Sequence, residues 1–298
     1  MRILITGSGG FIGQAITRRL QADPALEIVA AVRAGPGPTA EGRRLACDLA
    51  TPASVEAALA HDRWDMVINC AGLIDQSVRP GIYREQWEAN VRPVVNLADA
   101  LESLQLGRRV AVLHLGSNAE YGDAPCAQRG DGPCRPNSAY GWAKLAATEY
   151  LMARRRSEGW RTAVVRPFLV YGAGMSPRSF LAQAIHAART GGAFPTSPGG
   201  QSRDFVSVEA VAETVWRMVK APDQWPSVPV NACTGIRRTL QDVLGILHSL
   251  APAFKPQLGA IPYRDSELME TWGVPAHPVD QAEADRDLRE FIRHVLQA

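Results

Sequence analysis

The chain has 298 residues, of which 46% are hydrophobic and 21% charged, a mix typical of a folded globular protein rather than a disordered or fibrous one. Lys and Arg number 32 and Asp and Glu number 30, so the formal charge of +2 argues against a nucleic-acid partner. The five cysteines contain no Cys-x-x-Cys pair and therefore predict neither a disulfide framework nor a metal site. The early apolar run 3–5 is too short for a signal peptide or a membrane span, so we expect a cytoplasmic protein with no membrane partner.

Short apolar segments alternate with helical patterns from the first residue onward. The patterns predict strands at 3–6, 27–32, 44–47, 66–70, 110–115 and 163–166, and helices at 11–21, 52–60, 83–105 and 139–157. Because the strands are too apolar for either face of a sheet to lie in water, the alternation predicts an α/β fold with a doubly wound parallel sheet. After residue 167 the pattern loosens, which indicates a smaller C-terminal α/β lobe.

The sequence TGSGGFIG follows the first predicted strand and leads directly into a helix. Its glycines, Gly7, Gly10 and Gly13, allow a tight turn and a close approach of a pyrophosphate to the N–H groups at the helix N-terminus. We therefore predict a dinucleotide-binding Rossmann domain over 1–167, to which 202–220 could return, and a substrate-binding lobe over 168–298.

Three further strand ends are candidate cofactor contacts. The second strand ends in Arg33, where many such folds carry an acidic residue for the ribose of NAD, and an arginine there suits the 2′-phosphate of NADP. The alternative is an ordinary surface arginine. Asp48 and Leu49 follow the third strand, where a carboxylate can meet the adenine amino group, and the small residues Cys70, Ala71 and Gly72 follow the fourth. Each of these two stretches could also be a plain turn.

Six motifs, TGSGGFIG, NCAG, LGSNAEYG, YGWAK, RPFLVYGAG and RDFVSVEAVA, occur in an order and spacing that resemble the extended short-chain dehydrogenase/reductase family of nucleotide-sugar epimerases, dehydratases and reductases. The resemblance extends over nearly the whole chain. It implies an NAD(P)-dependent enzyme with Ser117, Tyr140 and Lys144 as the catalytic residues, Tyr140 being the general acid/base. It also implies that Phe11, Ile12, Asn90 and Pro167 join the cofactor contacts, although a buried structural asparagine would look the same as Asn90.

The spacing of Tyr140 and Lys144 has a physical reason of its own. Four residues make one turn of a helix, so both side chains lie on the same face, and a nearby cation is expected to lower the pKa of a phenol from about 10. Lys144 can also hold the hydroxyls of the nicotinamide ribose. Ser117 lies at the end of the fifth predicted strand, at the sheet edge where such folds bind ligands, although a turn serine would look similar.

The residues after Ser117 separate reaction types within the family. Nucleotide-sugar 4,6-dehydratases carry an acid pair there, whereas this chain has Asn118 and Ala119. The motifs look most like reductases of the GDP-4-keto-6-deoxymannose reductase group, which implies NADPH-dependent 4-keto reduction of a nucleotide-linked 6-deoxy sugar, with NAD as a possible cofactor. The alternatives are an NAD-dependent nucleotide-sugar 4-epimerase and a non-catalytic cofactor-binding sensor, against which the intact catalytic set argues.

Two further expectations follow from the resemblance. Arg203 matches an arginine that often contacts the substrate diphosphate, the alternative being a salt bridge to Asp204 or Glu209. Family members often form homodimers through a four-helix bundle, which the helices at 83–105 and 139–157 would supply here.

Overall fold

The computed structural model describes residues 1–33 and 43–297, which form two compact units. The first unit comprises 1–124, 130–167 and 209–230, and the second comprises 125–129, 168–208 and 231–298. The chain thus enters the second unit briefly at 125–129 and again after residue 167, and it returns to the first unit over 209–230. In the described residues no helix has the length and apolar character needed to cross a lipid bilayer.

The first unit is built on parallel strands that alternate with helices. Its strands are β1 (Arg2–Thr6), β2 (Glu27–Val32), β3 (Arg43–Ala46), β4 (Met66–Asn69), β5 (Ala111–Leu115) and β6 (Thr162–Pro167). Its helices include α1 (Phe11–Gln21), α2 (Pro52–Ala60), the short α3 (Ile82–Gln86), α4 (Arg92–Ser103) and α5 (Ala139–Glu158). The sheet confirms the doubly wound α/β fold that the alternation predicts.

The helix predicted over 83–105 is not continuous. A π-helical turn, Trp87–Val91, separates α3 from α4. Pro93 stands in the first turn of α4 and has no backbone N–H, so regular α-helical hydrogen bonding cannot pass through this point. The turn contains Asn90, which the sequence indicates as a site residue.

After residue 167 the chain forms short strands and four further helices, of which the second, α7, belongs almost entirely to the first unit. The helices are α6 (Phe180–Thr190), α7 (Val208–Lys220), α8 (Leu240–Leu250) and α9 (Gln281–Gln297). The strands are β7 (Leu169–Tyr171), β8 (Phe194–Thr196), β9 (Ser202–Arg203), β10 (Phe205–Ser207), β11 (Val230–Ala232), β12 (Arg238–Thr239), β13 (Pro256–Leu258) and β14 (Glu270–Thr271). The apolar faces of α6, α8 and α9 pack together around Leu181, Leu244 and Leu288, which gives the second unit a core of its own.

The order of the large sheet fixes where a ligand can bind. Its seven strands run β11-β6-β5-β4-β1-β2-β3. The chain moves outward in one direction from β1 to β3 and then returns to the other side of β1 with β4. Such a reversal opens a crevice beyond the carboxyl ends of the strands, so the loops after β1 and β4 are the expected cofactor site.

Candidate active site

The glycine turn after β1 has steric requirements that only glycine meets. Gly7 has a φ of 67°, and a Cβ atom on it would lie 2.5 Å from the backbone nitrogen of Ala71. A Cβ atom on Gly13 would overlap the carbonyl oxygen of Gly7. The turns after β1 and β4 therefore approach each other backbone to backbone.

The start of α1 has the features of an anion site. Gly10 is the N-cap and offers no capping side chain, and the first turn, which begins with the half-buried Phe11 and Ile12, carries no acidic residue. The hydroxyl oxygen of Ser8 is buried and has no hydrogen-bond partner among the described residues. Backbone N–H groups at a helix N-terminus, beside an unpaired hydroxyl, fit the pyrophosphate of a dinucleotide.

Arg33 follows β2 directly and is exposed. Asp48 follows β3 and is half-buried, and its Oδ1 accepts the N–H of Ala50 at 3.1 Å, so part of this carboxylate shapes the turn before α2. Leu49 is buried, and its carbonyl oxygen accepts the side chain of Asn96 at 2.8 Å. The roles of Arg33, Asp48 and Leu49 toward a cofactor stay predictions.

A buried asparagine in the NCAG motif connects three strands, which the sequence did not indicate. Asn69 Oδ1 accepts the hydroxyl of Thr6 on β1 at 2.7 Å and the N–H of Ala71 at 3.1 Å. Its Nδ2 lies 3.2 Å from Nδ1 of His114 on β5. Burial holds the pKa of His114 well below its ordinary value, so the ring is neutral and can accept this hydrogen bond. The network fixes the turn of Cys70, Ala71 and Gly72.

Asn90 fixes the loop that follows this turn. Its Oδ1 accepts the N–H of Leu73 at 3.1 Å, and its Nδ2 donates to the carbonyl oxygen of Leu73 at 3.0 Å and to Gln86 Oε1 at 2.8 Å. A Cβ atom on Gly72 would lie 2.7 Å from Asn90 Oδ1 and 3.8 Å from Lys144 Nζ. Gly72 thus lies beside both predicted site residues.

Ser117, Tyr140 and Lys144 come together in the first unit. Ser117 lies two residues beyond the end of β5 and caps a short 3₁₀ turn, Asn118–Glu120, and its hydroxyl is hydrogen-bonded to Tyr140 near the start of α5. Lys144 follows one turn later. All three side chains are buried, Lys144 with 4% of its surface exposed. A Cβ atom on Gly141 would overlap the carbonyl oxygen of Ala119, so glycine lets α5 pack directly on the 3₁₀ turn.

The pKa of Tyr140 differs from the expectation. Burial raises the pKa of Tyr140 to about 12, and the hydrogen bond from Ser117 opposes this only in part. Burial lowers the pKa of Lys144 to about 8. The ammonium donates to the carbonyl oxygen of Leu115. The expectation that Lys144 lowers the pKa of Tyr140 is therefore not met, because burial favours the neutral phenol more strongly than any neighbour favours the phenolate.

A buried ion pair stands behind Ser117, and the sequence reasoning missed it. Glu120 and Arg166 are joined by a 2.8 Å contact, and their side chains are 0% and 2% exposed. The guanidinium of Arg166 also lies over the ring of Tyr121, 4.6 Å from its centre. In the sequence, Glu120 comes one place after Asn118 and Ala119, the two positions at which 4,6-dehydratases carry their acid pair. The signal available in the sequence was its capping-box spacing, Ser117 followed three residues later by glutamate.

Of the remaining predicted residues, Asn118 and Pro167 belong to the first unit and Arg203 belongs to the second. Asn118 is half-buried in the 3₁₀ turn, and Pro167 ends β6 in a buried position. Arg203 belongs to the second unit, where it pairs with Glu267 rather than with Asp204 or Glu209 and donates to the carbonyl oxygen of Leu268 at 2.7 Å. Its contact with a substrate diphosphate stays a prediction.

Comparison with known proteins agrees with this architecture. Residues 3–233 match the model of the NAD dependent epimerase/dehydratase family. A dTDP-6-deoxy-L-talose 4-dehydrogenase (NAD(P)(+)) from Kitasatospora kifunensis is 33% identical over 257 residues, which cover 83% of this chain and 78% of that protein. A UDP-glucose 4-epimerase from Mycolicibacterium smegmatis (strain ATCC 700084 / mc(2)155) is 28% identical and covers 73% of this chain and 72% of its own length.

A solved structure supports the same assignment. The protein MoeE5, in complex with UDP-glucuronic acid and NAD, matches with a TM-score of 0.80 and 26% identity, over 100% of this chain and 98% of that chain. The glycine turn, the strand order and the hydrogen-bonded Ser117 and Tyr140 are consistent with this likeness. The chain belongs to the NAD-dependent epimerase/dehydratase family and is an NAD(P)-dependent enzyme of the extended short-chain dehydrogenase/reductase type.

Proposed function

We propose that this protein uses NADPH to reduce the 4-keto group of a nucleotide-linked 6-deoxy sugar. The observation that carries the proposal is the buried, hydrogen-bonded pair of Ser117 and Tyr140, in which burial raises the pKa of the phenol to about 12. At neutral pH the phenol is therefore protonated and ready to donate, which is the state that carbonyl reduction requires. The similarity to a 4-dehydrogenase supports the position of attack, because 4-oxidation and 4-keto reduction are one reaction in opposite directions.

The chain's own residues then have distinct roles. The hydroxyls of Ser117 and Tyr140, already hydrogen-bonded to each other, hold the carbonyl oxygen of the sugar, and Tyr140 gives that oxygen its proton. The ammonium of Lys144 stabilises the phenolate that remains. A bound nicotinamide dinucleotide supplies the hydride, and the glycine turn with the start of α1 would hold its pyrophosphate.

Elimination of water is disfavoured by the same residues. Asn118 and Ala119 offer no acid or base. Glu120 is acidic, but both of its carboxylate oxygens accept hydrogen bonds inside the protein, from the N–H of Ser117 at 2.8 Å and from Arg166 at 2.8 Å. With no free carboxylate in this turn, the chemistry ends at reduction.

The preference for NADPH rests on Arg33. Its side chain is exposed at the end of β2, where a guanidinium can pair with a 2′-phosphate and where NAD-selective folds carry an acid.

The test is to supply dTDP- and GDP-linked 4-keto-6-deoxyhexoses with NADPH or NADH, and to follow the absorbance at 340 nm and the products. Tyr140→Phe is the matched control, since it keeps the ring and removes the proton donor. Oxidation of NADPH by wild type but not by this variant supports the proposal. If none of the keto sugars leads to oxidation of NADPH, the proposal is contradicted.

A nucleotide-sugar 4-epimerase is the second candidate, favoured by the 28% identity to a UDP-glucose 4-epimerase. An epimerase returns the hydride to the same sugar and so needs no added reductant. Purified protein that retains NAD and interconverts UDP-glucose and UDP-galactose without NADPH would favour this function over reduction.

We also propose a homodimer formed through the helices 82–103 and 139–158. Their surface carries a cluster of exposed aromatic rings: Trp142 lies 5.8 Å from Tyr83 and 6.0 Å from Trp87, measured between ring centres. Such a cluster is costly to leave in water and is typical of a contact surface. Sedimentation of wild type as a dimer and of Trp142→Asp as a monomer would support this assembly, and a monomeric wild type would refute it.

A further inference from the structure

We infer that Glu120 is a positioning residue of the active site: its buried carboxylate, held in place by Arg166, orients Ser117 and keeps a negative charge close to Lys144. This inference rests on the proposed function, because it assigns a role within the same proton-transfer site. Both carboxylate oxygens of Glu120 accept hydrogen bonds from within the protein, so the inference assigns it no direct contact with the sugar or the cofactor.

The geometry joins Glu120 to Ser117 directly. Glu120 Oε1 accepts the backbone N–H of Ser117 at 2.8 Å, while Glu120 Oε2 accepts Nε of Arg166 at 2.8 Å. The Ser117 hydroxyl in turn accepts the N–H of Ala119 at 3.2 Å. A Cβ atom on Gly116 would overlap Glu120 Oε1, so the glycine before Ser117 makes room for the carboxylate. Any movement of the carboxylate would therefore move the serine.

Glu120 also acts on the charge of Lys144. The titratable groups that face Lys144 are Glu120 from the 3₁₀ turn, Cys70 from the loop after β4, His114 from β5, and Tyr140 one helical turn earlier. Glu120 is the carboxylate among them. Burial lowers the pKa of Lys144 to about 8, and the negative charge of Glu120 raises it against this effect.

Arg166 explains how a carboxylate stays in so buried a place. A buried charge without a partner is costly, and Arg166 supplies the opposite charge for Glu120. Burial by itself would lower the pKa of Arg166, but the charge of Glu120 raises it above the usual value, so the guanidinium stays charged. Tyr121 and Cys134 also lie beside this guanidinium. Glu120 and Arg166 together carry no net charge, but it is the carboxylate of Glu120 that contacts Ser117.

Stability alone does not require this ion pair. Replacing a buried pair by apolar side chains of similar volume often leaves stability unchanged or improves it, because burial of both charges costs solvation. Removing one partner, in contrast, leaves a buried charge unpaired. A double substitution therefore separates a role in folding from a role in catalysis.

The expected effect has a definite sign. Removal of the negative charge lowers the pKa of Lys144 and also that of Tyr140, which Glu120 raises in addition to burial. In Glu120→Gln we expect the pKa of Lys144 to fall by about one unit, and the high-pH limb of the kcat/KM profile for reduction to move down by about one unit. We expect kcat to fall about tenfold, since the amide cannot accept from both Ser117 and Arg166.

The pKa of Lys144 can be measured without turnover, because the chain has three lysines, Lys144, Lys220 and Lys255. Lysine labelled with ¹³C at Cε gives three signals, which Lys220→Arg and Lys255→Arg assign. A titration between pH 6 and 10.5 then follows Lys144 in wild type and in Glu120→Gln. A lowered Lys144 pKa in a protein that reduces no keto sugar would support this inference while the proposed function failed.

The deciding variant is Glu120→Leu with Arg166→Met, which also remains testable if Glu120→Gln does not fold. We expect it to unfold at a urea concentration near that of wild type, but with the Lys144 pKa lowered by about one unit and kcat reduced about tenfold. A double variant with the kcat, the pH profile and the Lys144 pKa of wild type would overturn the inference and leave the ion pair a structural contact.

Discussion

Replacing Lys144 by methionine should stabilise the protein at neutral pH while it removes activity. Lys144 is 4% exposed, and burial lowers its pKa from 10.5 to about 8. Each unit of pKa shift corresponds to about 1.4 kcal/mol, so keeping this ammonium charged in the folded protein at pH 7 costs roughly 3 kcal/mol of the free energy of unfolding. Methionine has a similar length and carries no charge.

The loss of one hydrogen bond opposes the stabilisation expected for Lys144→Met. The ammonium donates to the carbonyl oxygen of Leu115, and a buried carbonyl without its partner costs about 1 to 3 kcal/mol. We therefore expect a net stabilisation of about 1 kcal/mol at pH 7, and the dependence on pH is the sharper test.

The sign of that dependence follows from the lowered pKa. Between pH 8 and 10.5 the unfolded chain binds the lysine proton and the folded chain releases it, so the stability of wild type rises with pH across this window. The advantage of Lys144→Met should fall by about 2 kcal/mol between pH 7 and pH 9.5. Tyr140 does not interfere, because its raised pKa of about 12 contributes stability that is constant below about pH 10 and is lost only above it.

The assay is urea unfolding followed by tryptophan fluorescence, with the midpoint and slope measured at both pH values. Lys255→Met, the same substitution at an exposed lysine, is the control, and its effect should be equal at the two pH values. A Lys144→Met protein that is less stable than wild type at pH 7, by an amount that does not change at pH 9.5, would refute the reasoning.

Three further predictions concern the site. Tyr140→Phe should lower kcat by about 10² to 10⁴ while cofactor affinity, measured by fluorescence titration, changes less than about twofold, since the ring still packs; retained turnover would contradict it. Arg33→Ala should weaken NADPH binding by roughly 1.5 to 3 kcal/mol and leave NADH unchanged, and equal affinities in wild type would argue against the role of Arg33. Gly13→Ala should abolish cofactor binding, because its Cβ would overlap the Gly7 carbonyl, whereas Gly245→Ala in α8, where a Cβ meets nothing within 4 Å, should bind normally.

The local secondary structure near the start of the chain could be predicted from the sequence. Strand and helix periods predicted β1, α1, β2 and α2 with bounds that match within a residue, because alternation and helical spacing depend only on neighbours along the chain. The glycine turn could be predicted for the same reason, since the positive φ of Gly7 is a requirement of the turn itself and not of distant packing. The Tyr140 and Lys144 spacing likewise follows from one turn of a helix.

The tertiary structure decided what lies around those residues. Glu120 and Arg166 are 46 residues apart, and Asn69 and His114 are 45 apart, so nothing in the local pattern pairs them. The pKa of Tyr140 moved opposite to the expectation, since burial depends on which distant strands and helices cover the phenol. The sequence by itself thus determined the local conformation of the predicted site residues, whereas packing of distant segments determined their charge, because the solvation of a group is set by everything that surrounds it.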